Sequence, residues 1–171
     1  MPTNQPLLQE LEQEVIATGR LLDRLPADRL AWRPHPKSMT LGQLALHVAT
    51  IPASYHRAIS LGTTQASEIA THPECTSLEQ IKSAWQSNLL AARKQLRTEA
   101  ADDSDWSLES HGKPLLTLPK SVARRLLMLN HWYHHRGQWT VYLRLLDIPV
   151  PSVYGPSADE NPWEEVMVAG E

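Results

Sequence analysis

The chain has 171 residues, a length that predicts one domain over residues 1–171 with enough apolar core to fold without disulfides. Sixteen Lys and Arg against nineteen Asp and Glu leave a net charge of -3, and no basic stripe runs along the sequence, which argues against nucleic acid as a partner. The apolar runs fall far short of the roughly 20 residues that cross a membrane. The single cysteine, Cys75, cannot close an internal bridge, and no charged-then-apolar leader opens the chain, so a reducing cytoplasm is the expected setting.

Pro6 suits the first turn of a helix, where its missing N–H would have no partner anyway, and Leu8, Leu11, Val15 and Leu22 then share one face. That helix stops before the stretch holding Pro26, Pro34 and Pro36, each of which removes a donor and turns the preceding residue out of the helical region. Thr40 and Gln43 have the spacing of a capping box and open a second helix with an inner stripe of Leu44, Val48, Ile51 and Tyr55. A polar loop is expected over 62–77. Ser77 and Gln80 repeat the capping spacing, and Ile81, Trp85, Leu89, Ala92 and Leu96 mark the third helix. Residues 101–118 fit either a short hairpin about His111–Gly112 or a packed loop. Pro119 opens a fourth helix whose apolar positions run through Leu127, Met128, Leu145 and Leu146 until DIPVP ends it. Four amphipathic segments without a long strand pattern predict an all-α four-helix bundle. The Pro-, Ser- and acid-rich tail, 150–165, is expected to lie irregularly across the bundle surface, with a disordered tail as the alternative.

Three of the eight histidines stand together in LNHWYHHRGQWT, residues 129–140. His131 and His135 are one turn apart and project side by side. At 100° per residue, Leu127, Met128, Gln138, Tyr142, Leu145 and Leu146 fall within roughly 60° of His131, which places the pair on the stripe facing the core. Two imidazoles buried side by side are costly to charge, and a cation that accepts a lone pair from each neutral ring removes the conflict. The alternative is a pair of core histidines satisfied by hydrogen bonds. A catalytic ion needs a third ligand, and His47 supplies it from the apolar stripe of helix two, among Leu44, Val48 and Ile51. His134 lies at the edge of the inner face and is not expected to be a ligand. His35 and His72 adjoin prolines, His111 precedes a glycine turn and His56 sits beside the stripe, so all four are expected to be solvated or capping residues. Trp132 stands where a zinc protease of the H-E-x-x-H type carries its glutamate, which argues against proteolysis. Three histidines leave coordination positions open, the pattern of a catalytic rather than a structural site.

The segments LGQLALHV, HWYHHRGQ and PSVYGPSADE together resemble the DinB family, the DinB/YfiT-like metalloenzymes, over essentially the whole chain. The resemblance implies an up-up-down-down bundle in which His47, His131 and His135 bind a divalent metal, nickel or zinc, and it implies a homodimer. It also implies transfer of a low-molecular-weight thiol such as bacillithiol, mycothiol or glutathione to an electrophile, or isomerisation with its help. The expected function is therefore a metal-dependent thiol S-transferase or related detoxifying enzyme. A metal-binding stress-response module without turnover is the alternative, and a plain helical bundle is the third reading. Gln138, on the face of the histidine pair, and Arg136, pointing away from it, are candidate supports; no catalytic side chain is assigned.

Overall fold

The computed structural model describes residues 4–164; residues 1–3 and 165–171, the last expected tail residue among them, lie outside the described residues. Helix α1 spans Gln5–Leu22, with Pro6 in its first turn, and buries Leu8, Leu11, Ala17, Leu21 and Leu22 together with Glu14 and Thr18. Helix α2 spans Leu41–Ser60 and opens on the expected capping box: Thr40 Oγ1 accepts from Gln43 N at 3.1 Å and Gln43 Oε1 accepts from Thr40 N at 2.9 Å. Pro52 lies inside α2, and Asn88 reaches across to repair the backbone there, accepting from Ala53 N at 3.0 Å and donating to Thr50 O at 2.8 Å. A short turn of helix, α3, covers Ala66–Ile69. Helix α4, Leu78–Thr98, begins with half a capping box, since Ser77 Oγ accepts from Gln80 N while Gln80 Oε1 takes the Cys75 thiol instead. The last helical run holds α5, Lys120–Ala123, a π-helical stretch over Arg124–Asn130, and α6, His131–Leu145. Helix α2 packs between α4 and α6, and α1 packs against the same two, closing a ring of four.

The chain is mostly helical, and the all-α expectation is corrected by a three-stranded sheet. Strand β1, Thr63–Gln65, pairs in parallel with β2, Asp105–Ser110, which pairs antiparallel with β3, Lys113–Pro119. Of the two readings for 101–118 the hairpin is the one observed, its turn made by His111 at φ 50 and Gly112 at φ 71. Strand β1 falls inside the stretch expected to be a polar loop, because three residues are too few to display an alternating pattern. The sheet has its own small core, in which Trp106 packs with Ile59 and Ala123 and donates its indole N–H to Thr64 Oγ1 at 3.0 Å. Among the described residues no helix is long and apolar enough to cross a membrane.

The tail, through residue 164, packs on the bundle and is fastened by charge. Arg20 pairs with Glu160 and Arg144 with Asp159, whose carboxylate also accepts from Val150 N at 2.8 Å. Tyr154 donates to Glu14 Oε2 at 2.8 Å and meets Arg136.

Candidate metal centre

From Met128 onward the buried stripe of the last helical run is Met128, Leu129, Trp132, Arg136, Trp139, Tyr142 and Leu143. Leu145, expected on the inner face, is 56 % exposed. Trp132, Arg136 and Trp139 occupy the core instead, so His131 and His135 stand half-buried on its rim, beside α2. A rim suits a site that must bury its ligand atoms and still admit a second molecule.

His47 meets the pair from α2. Its Nε2 lies 3.4 Å from His131 Nε2, which lies 2.7 Å from His135 Nε2, and the three offer ligand atoms all within 4.8 Å of one another. The far nitrogens of two rings are already committed. His131 Nδ1 lies 3.3 Å from Leu127 O, which can only accept, and His135 Nδ1 lies 2.7 Å from Gln138 Oε1. Each Nδ1 therefore carries the proton, each Nε2 presents its lone pair, and two acceptors face each other with no proton between them. Burial opposes the obvious remedy of protonation. It lowers the His47 imidazole, helped by the rings of His135, His131 and His72, to about 3, and the His135 imidazole, helped by His131 and opposed by Gln138, to about 4. Burial lowers His131 as well. A donor set of three neutral imidazoles converging on one point fits a divalent cation, and zinc or nickel suits imidazole nitrogen.

The π-helical stretch explains how Leu127 becomes available. The His131 backbone N–H bonds to Leu126 O and Met128 O, bypassing Leu127 O, the partner it would take in an α-helix. The His131 ring takes that carbonyl instead. Nothing in the amino-acid pattern announces this break in the helical period.

The expected support Gln138 is in place. Arg136 does point away, but into the core: it is 2 % exposed, pairs with Glu14, donates to Glu14 O and Thr18 Oγ1 at 3.2 Å each, and lies over the rings of Trp132, Tyr133 and Tyr154. It braces α6 against α1 and the tail. His134 is exposed and outside the converging group, as expected. His35, accepting from Lys37 N at 3.1 Å, and His111 are local turn residues.

One expectation needs correction. His56 is fully buried, not solvated: its Nδ1 accepts from Arg124 Nε at 3.3 Å, and its Nε2 lies 3.2 Å, though poorly aligned, from Glu99 Oε2. His72 is exposed, as expected, and its ring also meets that of His47 edge-on at 4.7 Å between centroids. Its loop is fixed by Gln43, which donates to His72 O at 2.8 Å, and by Gly42, where a Cβ would stand 1.8 Å from Cys75 O. Only a residue without a side chain admits that approach. Tyr55 closes the other side, its ring centroid 4.9 Å from that of His131. His47, Tyr55 and His72 line one end of a cavity of about 550 Å³ between α2 and the segment that follows it.

Comparison with known proteins agrees with this fold. The uncharacterised protein YrdA of Bacillus subtilis (strain 168) is 27% identical over 153 residues, covering 90% of this chain and 89% of its own. The crystal structure of a DinB-like protein from Bacillus cereus ATCC 10987 superposes with a TM-score of 0.65 at 28% identity, covering 86% of this chain and 95% of that one. A second DinB-like protein, YjoA from Bacillus subtilis, shares the fold with a TM-score of 0.63 at 20% identity, over 86% of this chain and 96% of its own. The family model of the DinB family matches residues 1–165, and with nearly its whole length accounted for, the chain belongs to the DinB family.

Proposed function

We propose that the chain holds one divalent ion, nickel or zinc, at His47, His131 and His135, and that it is a metal-dependent thiol S-transferase or related detoxifying enzyme. The observation that carries the reading is the 2.7 Å approach of two lone-pair nitrogens whose far nitrogens already donate. An ion held there supplies a positive charge that lowers the pKa of a thiol from about 8.5 into the neutral range.

The chain's own residues do the rest. Gln138 and the Leu127 carbonyl fix ring orientation and tautomer, so the three nitrogens are preorganised for a cation. Tyr55 and His72 flank the site and leave the His47 side open to the cavity, whose volume of about 550 Å³ is in the range of small-molecule sites. A thiol enters from that side, and the electrophile meets its sulfur at the cavity end of the site. The reading takes bacillithiol, mycothiol or glutathione as cosubstrate, and it includes an up-up-down-down order of the four long helical runs, a homodimer and a cytoplasmic setting. These finer points rest on what the resemblance to the DinB family implies.

Elemental analysis of the purified protein should give about one divalent ion per chain, the stoichiometry of one three-histidine site. With cobalt in its place, one of the three thiols should produce a thiolate-to-metal absorption band that metal-free protein lacks. Silence from every thiol, in protein that holds the ion, would favour a metal-binding module without turnover.

A further inference from the structure

The cavity continues well past the histidines. Along α2 the residues Gln43, His47, Thr50, Ser54, Arg57 and Leu61 line it, a spacing of three and four that keeps one continuous stripe toward the opening. The opposite wall is the segment after α2, through Thr64, Glu68, Ile69 and His72. The cavity thus has two chemically different ends. His47 and His72 stand at one, and ten residues further on, about 15 Å along the helix axis, Arg57 stands at the other.

Most polar groups on the wall between are spoken for. The Thr50 hydroxyl donates to Leu46 O at 2.9 Å, Gln43 is engaged by Thr40 and the His72 carbonyl, and Glu68 Oε2 accepts from Gln65 N at 3.2 Å. Arg57 and Ser54 differ. They are exposed, one turn apart on α2, and among the described residues the guanidinium forms no salt bridge and the hydroxyl no hydrogen bond. Arg57 is also the one Lys or Arg among the residues lining the cavity, with Glu68 the one carboxylate. A planar fork of donors with a hydroxyl beside it matches a carboxylate, which accepts two parallel N–H bonds and one O–H bond. A dianionic phosphate would find a single cation and face Glu68 besides.

We infer that the small molecule brought to the histidines carries a carboxylate, bound by Arg57 with Ser54 at the far end of the cavity. This rests on the reading of the histidine end as the reacting end. It makes Arg57 a specificity residue, holding an extended ligand so that its other end reaches His47.

The test uses the full chain loaded with cobalt and three probes. Glutathione has a thiol and carboxylates, S-methylglutathione has the carboxylates without an ionisable thiol, and 2-mercaptoethanol has the thiol alone. Calorimetry reads affinity, and the thiolate-to-cobalt band separately reads sulfur at the metal. Arg57→Ala should weaken glutathione and S-methylglutathione about tenfold, the worth of one charge-assisted pair, and leave the band from 2-mercaptoethanol unchanged. Arg57→Lys, which keeps the charge and loses the fork, should recover only part of that affinity. Unchanged binding of both carboxylate probes by Arg57→Ala, or no binding of either by the parent, overturns the carboxylate site. A parent that binds S-methylglutathione through Arg57 and gives no band with any thiol keeps the carboxylate site and sinks the thiol-transfer reading instead.

Discussion

Helix α2 buries two histidines, and they lead different lives. His56 sits between Arg124 and Glu99, accepting from the guanidinium and lying 3.2 Å from a poorly aligned carboxylate, so its ring is held between two charged groups. His47 meets the rings of His131, His135, His72 and Tyr55 and, among the described residues, forms no salt bridge. Burial lowers both imidazoles, Arg124 adding to the effect at His56 and the neighbouring rings at His47. A shifted histidine alone is thus a poor guide to function. What separates the two is what the ring faces: charged side chains at His56, and at His47 other imidazoles whose nitrogens converge on a point that a cation completes.

Removing a ligand should break that contrast most visibly. His135→Ala leaves two nitrogens, too few to hold a catalytic ion, and elemental analysis should find the metal gone while circular dichroism stays helical. A His135→Ala protein with the parent's metal content would refute the ligand set. One step outward, Gln138→Ala frees the Nδ1 proton of His135 and the orientation of its ring, and should weaken metal affinity about 10- to 100-fold in a competition titration with a chelator. An unaltered affinity would mean that Gln138 contributes packing alone.

At the closed end of α2 the loss should be in folding. His56→Ala leaves the Nε of nearly buried Arg124 without its acceptor, which costs about 2 kcal/mol, a drop in Tm of roughly 4–8 °C at this size. Metal content should be unaffected. Loss of the ion from this variant would show that the two ends of α2 are coupled and the contrast false.

Acid sharpens the comparison more gently. With folded-state values near 3 for His47 and 4 for His135, against about 6.5 in the unfolded chain, the unfolded state binds more protons in that interval. The contribution of these neutral rings is present above pH 6.5 and lost as pH falls toward 4 and 3. The Tm of metal-free protein should decline across that window, with a shallower decline in His47→Gln. The loaded protein should keep its ion down to about pH 5, because protons compete poorly for depressed imidazoles. Release already at pH 6.5 would place the ligands in water-like surroundings.

Much of this was legible before any coordinates, for identifiable reasons. The capping box at Thr40 and the long apolar stripes depend on local spacing, and the same spacing brings His47, His131 and His135 onto facing elements. What escaped depends on contacts distant in sequence. Strand β1 exists because Ser107, Leu108 and Glu109 lie beside it, and His56 is buried because Arg124 and Glu99 arrive from two other helices. His72 reads as a loop residue beside a proline; only its tie to Gln43 and the close approach of Cys75 to Gly42 carry it to the site. The rotation of the buried stripe toward Trp132, Arg136 and Trp139 escaped for another reason: these residues fall about 80–140° round α6 from His131, outside an inner face centred on the histidines.

The smallest expected effect tests the helical phase most directly. His134 sits beside His135 in sequence and is exposed, with ring centroids 5.1 Å apart, so proximity in the chain would make it a fourth candidate. Its angle argues otherwise. At 300° from His131 it lies on the outer side of the pair, whereas the core residues Trp132, Arg136 and Trp139 fall on the inner side at about 80–140°. An ion centred between the three Nε2 atoms is therefore approached from the core rim and α2, not from the face that carries His134. His134→Ala should keep the full metal content and unfold within about 0.5 kcal/mol of the parent, as exposed substitutions do. Loss of metal from His134→Ala together with its retention by His131→Ala would mean that α6 is rotated by roughly 60° in its metal-bound state, and that the outer face, not the core rim, holds the ion.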